Sequence, residues 1–180
     1  MSRLKPALNA QDHMLGRPDA PIQLVEYGDY ECPFCGRAHP IVKAVVRAMG
    51  DDDLVFAFRN FPLSQAHPHA LRAAQAAEAA ALQGRFWPMH DLLFENQQFL
   101  EDEHLFRYAG LVGCDPEQFA EDVDSEEVAE RVRSDFLSGA RSGVNGTPTF
   151  FINGERYEGS WEPDVLLSVL QELRAGRELR

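Results

Sequence analysis

The chain has 180 residues, 44% of them hydrophobic, enough to bury one core carrying an insertion or two small cores. Its formal charge of −12 leaves no basic face for phosphates, which excludes nucleic acid and anionic membrane surfaces as expected partners. No apolar run approaches the roughly 20 residues of a membrane span, so membrane insertion is not expected, and three cysteines are too few for a disulfide scaffold.

Residues 1–21 form an N-terminal arm with Pro and Gly that reads as loop. The arm carries Arg3 and Lys5 but lacks the apolar run of about 7–15 residues of a secretory signal. As written, the chain is expected in the cytoplasm. A periplasmic or cell-envelope location is the alternative if a leader was removed.

Residues 22–27 are short and largely apolar and predict the first strand. A helix then begins at Pro33, a favourable first helical residue, with Phe34, Ala38, Ile41, Val45 and Met49 marking one face and Gly50 ending it. Pro40 is expected to kink this helix, because it cannot donate to the carbonyl of Gly36. Residues 54–61 predict a second strand, parallel to the first through a right-handed crossover.

From Leu63 to Asp124 the pattern is helical. An Ala-rich run from Pro68 to Leu82 closes at Gly84, and shorter helices are expected over 86–96, 101–112 and 115–123. Asp124 with Glu127 resembles a capping box, and Val128, Val132, Phe136 and Ala140 mark the face of the helix that follows. Thr149–Ile152 and Glu155–Tyr157 flank Asn153-Gly154, a pair suited to the positive φ angles of a tight hairpin. A last amphipathic helix carries Val165, Leu166, Val169, Leu170 and Leu173.

The chemistry concentrates in Cys32-Pro33-Phe34-Cys35-Gly36. With Pro33 first in the helix, Cys32 is the N-cap, its sulfur placed where Ser or Asp ordinarily accepts a backbone N–H. The free helix end and its dipole favour the thiolate, each pKa unit being about 1.4 kcal/mol. Cys32 is therefore the expected nucleophile, and Cys35 is placed to attack a mixed disulfide formed on Cys32. The same spelling occurs in zinc knuckles, but a zinc ribbon needs a second ligand pair. Only Cys114 remains, and His67 and His69 fall in a helix-forming run. No metal and no cofactor is expected, and His39, His67, His69, His90 and His104 receive no role. A zinc-binding interaction module and a redox sensor remain alternative uses of the pair.

These features together resemble the DsbA-like branch of the thioredoxin superfamily, from Pro21 to Leu173. They are the strand before Cys-x-x-C, the helical stretch after the second strand, and Gly146-Thr147-Pro148-Thr149-Phe150 entering the hairpin. The resemblance implies an α/β thioredoxin-like fold: an N-terminal arm over 1–21, a thioredoxin-like domain over 22–62 and 125–180, and an inserted helical domain over 63–124. It implies thiol-disulfide exchange with protein or low-molecular-weight thiols and disulfides, together with a redox-recycling partner. It also implies that Pro148 is cis and faces the redox pair, leaving the backbone of Thr147 to pair with an extended substrate. Pro33, Phe34, Thr147 and Pro148 are the expected substrate-facing residues, with an ordinary turn proline the simpler reading of Pro148.

The resemblance places a buried acid at Glu26, whose pKa burial would raise and which would carry a proton to or from Cys35. A carboxylate solvated or paired with Arg59 is the simpler reading. Phe34 departs from the best-known relatives, which have a thiolate-stabilising His there, and a less oxidising site is expected. Tyr30, Phe61 and Trp161 are candidate groove aromatics or plain core. Cys114 is expected to be a small, partly buried residue with no redox role. Some relatives of this branch occur fused to or beside membrane transporters.

Overall fold

The computed structural model describes residues 2–178, with side chains through 176. Five strands form one sheet, β1 (His13–Leu15), β2 (Ile22–Gly28), β3 (Leu54–Asn60), β4 (Thr149–Ile152) and β5 (Glu155–Tyr157), in the order β1-β3-β2-β4-β5. The helices are α1 (Pro33–Met49), α2 (Ala70–Leu82), α3 (Phe86–Glu95), α4 (Asp102–Leu111), α5 (Pro116–Val123), α6 (Glu126–Arg141) and α7 (Pro163–Glu178). Among the described residues, no helix is long and apolar enough to cross a membrane.

The chain divides into two compact units. One comprises Met1–Tyr27, Arg37–Arg59 and Ser138–Arg180; the other comprises Gly28–Gly36 and Asn60–Leu137. The N-terminal arm belongs to the sheet unit, whereas the cysteine segment and most of α6 belong to the helical unit.

β3 is buried along its whole length, with an apolar run from Leu54 to Phe58 followed by the buried polar residues Arg59 and Asn60. β2 pairs antiparallel with β4, Leu24 opposite Ile152 and Tyr27 opposite Thr149. The β4–β5 hairpin turns on Asn153 and Gly154 at φ 51° and 82°, as the Asn-Gly pair predicts. The arm is not loop throughout. β1 pairs antiparallel with β3, and the Leu4 N–H donates to the Gly154 carbonyl at 2.9 Å. Three residues without alternation carry no strand signal, so the pairing partner decides this element.

Two helix faces also differ from expectation. α1 runs on through Pro40 and buries Cys35, Ala38, Val42, Val45 and Met49, leaving Phe34 exposed and Ile41 half-buried. α7 buries Leu166 and Leu170 and exposes Val165 and Leu173.

In the helical unit, alanines make the buried side of α2, where their small size allows close packing. The cap of α6 is Ser125, whose hydroxyl accepts the Val128 N–H at 3.2 Å. Asp124 stands one residue too early to be the cap; it closes α5, and its carboxylate accepts from Arg72 at 2.7 Å. Further along α6 the buried residue is Asp135, which accepts from the backbone N–H and the side-chain amide of Asn60 at 2.9 and 3.1 Å, while Phe136 is partly exposed and stacks on Phe61 at 4.4 Å.

Candidate active site

The cysteine segment is built on backbone bonds inside the helical unit. The Cys32 N–H donates to the Asp29 carbonyl at 3.1 Å, and the Cys32 carbonyl accepts the Gly36 N–H at 3.0 Å. Cys32 therefore stands at the N-cap position, with Pro33 the first helical residue. Cys32 is 3% exposed and Cys35 fully buried, whereas Phe34 is 56% exposed. The turn thus presents a phenyl ring to solvent beside a nearly covered sulfur.

The Gln97 side-chain amide donates to the carbonyls of Tyr30 and Cys32, both at 2.8 Å, and fastens the turn. Gly36 makes room for this approach, since a Cβ there would lie 2.0 Å from Gln97 Oε1 and the Gln97 side chain would have to shift. Tyr30 is core, its hydroxyl 2.9 Å from His90 Nδ1 and its ring tilted against Phe94. Phe61 is buried as well.

Two acid–histidine pairs flank the turn. The Asp29 carboxylate lies 2.7 Å from His67 Nδ1 and accepts the N–H groups of Glu31 at 2.8 Å and Leu63 at 3.0 Å. The Glu31 carboxylate accepts the His69 N–H at 2.6 Å and lies 2.9 Å from His69 Nδ1. Burial disfavours a charged His67. The bond to Asp29 and its charge, followed by the charges of Cys32 and Glu31, outweigh that cost and raise the imidazole pKa.

From sequence alone these histidines have no role, since neither has metal-ligand spacing with another strong ligand in its element, and the helix-forming run argues against a second knuckle. In the structure α2 starts only at Ala70, and they belong to the preceding turn. One signal was available: Asp29 and Glu31 stand two apart, as do His67 and His69. A cleft of about 790 Å³ in the same unit is lined by Leu63, Leu71, Val132 and Phe136, beside the turn that leads to His67.

The remaining candidates lie in the sheet unit. Glu26 is 2% exposed on β2, opposite Phe150 of β4. Arg59 is not its ion-pair partner. The guanidinium donates to both oxygens of Asp12 at 2.7 and 2.9 Å, to the Tyr27 hydroxyl at 3.0 Å, and to the carbonyls of Pro6 and Ala7 at 2.9 and 3.3 Å. All five guanidinium donors are engaged. The Thr147–Pro148 peptide bond is cis, and Pro148 lines a cleft of about 270 Å³ with Tyr157 and Trp161. In the helical unit, Cys114 is buried and burial pushes its thiol pKa up, the reverse of what a reactive thiol needs.

The family model described as "Thioredoxin" matches residues 8–172. A relative named Na(+)/H(+) antiporter NhaA 1, from Mycolicibacterium gilvum, is 49% identical over 97% of this chain. The chain spans only 28% of that relative's length. Among solved structures, a thioredoxin-like oxidoreductase from Silicibacter pomeroyi is 29% identical with a TM-score of 0.80, covering 93% of this chain and 94% of that one. Oxidised BdbD from Bacillus subtilis is 25% identical with a TM-score of 0.81, covering 91% of this chain and 93% of that one. The chain belongs to the thioredoxin family and takes the DsbA-like form of its fold.

Proposed function

We propose that the chain is a thiol-disulfide oxidoreductase working through Cys32 and Cys35. The observation that carries this reading is the Cys-x-x-C pair at the start of α1, with Cys32 as N-cap. In the reducing direction the Cys32 thiolate attacks a substrate disulfide, forming a Cys32–substrate bond and expelling one substrate thiolate. The Cys35 thiolate then attacks the Cys32 sulfur, releasing the second substrate thiolate and closing Cys32–Cys35. The substrate gains two electrons and the pair loses them; the reverse sequence oxidises a dithiol. A redox partner returns the pair to its starting state.

Cys32 keeps 3% of its surface exposed and Cys35 none, which supports this order of attack, since an incoming substrate meets the more exposed residue first. The exposed ring of Phe34 offers apolar surface to an unfolded substrate, and Pro33, Thr147 and the cis Pro148 are the other residues assigned to substrate contact. Glu26, buried on β2, is assigned to moving a proton to or from Cys35. Phe34 lacks the charge of a histidine, which removes one source of thiolate stabilisation and makes the pair less oxidising. About 30 mV corresponds to about 1.4 kcal/mol.

Cys32→Ser is expected to abolish exchange with insulin and with glutathione disulfide; retained exchange would reject the reading. Glu26→Gln is expected to slow exchange near neutral pH, with an unchanged rate discarding the proton relay. Equilibration of the pair with glutathione gives its potential. A strongly oxidising value favours action on folding proteins in an envelope compartment, and a reducing one favours the cytoplasm.

The antiporter-named relative, matched across 97% of this chain, carries a second reading, in which the redox pair serves a membrane transporter. Exchange with unfolded protein no faster than with glutathione disulfide would favour it.

A further inference from the structure

We propose that His67, held by Asp29, is the cation that keeps Cys32 in its thiolate form, taking from the turn before α2 the part that Phe34 cannot play inside the Cys-x-x-C turn. The inference rests on the redox reading of Cys32.

Asp29 fastens both segments involved. Its carbonyl accepts the Cys32 N–H at 3.1 Å, its carboxylate accepts the Leu63 N–H at 3.0 Å, and the Leu63 carbonyl accepts the His67 N–H at 2.9 Å. The same carboxylate takes His67 Nδ1 at 2.7 Å, which fixes the ring and leaves Nε2 as its other polar atom. Thiol and imidazole are thus set in one bonded frame within the helical unit. The charge of Cys32 is among those that His67 feels.

The charges that act on His67 favour its cation. The groups around His67 are Asp29, Glu31 and Cys32, with His69 bound to Glu31 at 2.9 Å. Were His67 neutral, a Cys32 thiolate would form beside the uncompensated carboxylate of Asp29, which disfavours ionisation. A charged His67 cancels Asp29 and attracts the thiolate. Interaction of this kind is reciprocal, so loss of the thiolate must also weaken the proton on His67.

The test uses the full chain, with the pH dependence of Cys32 alkylation followed by peptide mapping. His67→Gln is expected to raise the alkylation midpoint by about one pH unit, slowing the reaction roughly tenfold below it, and to leave the rate at high pH unchanged. Adding Phe34→His to that variant should restore the midpoint, because position 34 is exposed and can present an imidazolium to the same sulfur. An unmoved midpoint in His67→Gln overturns the proposal, as does a shift that Phe34→His does not reverse.

If His67→Gln fails to fold, the unmodified chain still decides the matter. The His67 titration followed by nuclear magnetic resonance should move to lower pH when Cys32 and Cys35 are joined, and an identical titration in both redox forms refutes the pairing. These readouts report ionisation rather than turnover. Exchange that persists in Cys32→Ser rejects the redox function itself and leaves the His67 measurements to be judged separately.

Discussion

Two acid–base pairs, one in each unit, use similar groups to opposite ends. In the sheet unit Asp12 and Arg59 are 3% and 2% exposed, and every guanidinium donor is bonded, so no donor of the pair is left for a ligand. In the helical unit Asp29 is fully buried but His67 keeps 21% of its side chain exposed, and the bond to Asp29 and its charge raise the imidazole pKa despite partial burial. Arginine with all donors satisfied makes a permanent strut between the arm and β3. Histidine at the rim of the cysteine turn makes an adjustable one. Choice of cation and depth of burial, more than the presence of an ion pair, distinguish the cluster in the sheet unit from the one at the cysteine turn.

The largest effect should come from breaking the strut. Asp12→Ala leaves the Arg59 charge buried and uncompensated, and a loss of about 3–5 kcal/mol in urea unfolding is expected. A loss under about 1 kcal/mol would show that water reaches Arg59 and that the pair resembles a surface bridge.

Gly36→Ala comes next. Its Cβ would meet Gln97 Oε1 at 2.0 Å, so a cost of about 1–3 kcal/mol is expected. Gln97→Ala in the same chain should recover part of that cost, and strict additivity would mean that the two side chains do not share the space.

A smaller effect distinguishes the two pairs by pH. The folded-state pKa of His67 lies above its unfolded value, so its contribution to stability is fully present below about pH 6.5 and is lost as pH rises through the raised value. His67→Gln should remove this slope from the pH dependence of unfolding, whereas Arg59 contributes none in that range because it does not deprotonate. Cys114→Ser should have the smallest effect, costing roughly 1 kcal/mol for a buried small residue with no change in exchange rate. A changed rate would give Cys114 a redox part.

Much of the frame was legible because its signals are local. Pro33 after Cys32 set the start of α1 one residue past the sulfur, and Asn153-Gly154 named the hairpin, since each depends on the φ preferences of adjacent residues. The helical block was legible from apolar spacing. The phase of α1 and α7 was less so, because Phe34, Val165 and Leu173 fit the apolar period yet lie on the exposed side. Periodicity finds a stripe about a hundred degrees wide, and its edge is set by what packs against it.

What the sequence by itself determined was the cysteine pair at a strand-to-helix junction, the order of helices, and the Gly-Thr-Pro stretch ahead of the hairpin. All are properties of short segments. Only the tertiary structure decided that the arm adds β1 to the sheet, that Arg59 belongs to Asp12 and not to Glu26, and that His67 stands with Asp29 at the cysteine turn. The partners in those pairs lie 38 to 47 residues apart, and charge attraction or strand pairing across such a separation leaves no periodic trace. Folding brings them together, and in doing so places a candidate cation beside a cysteine whose own motif lacks one.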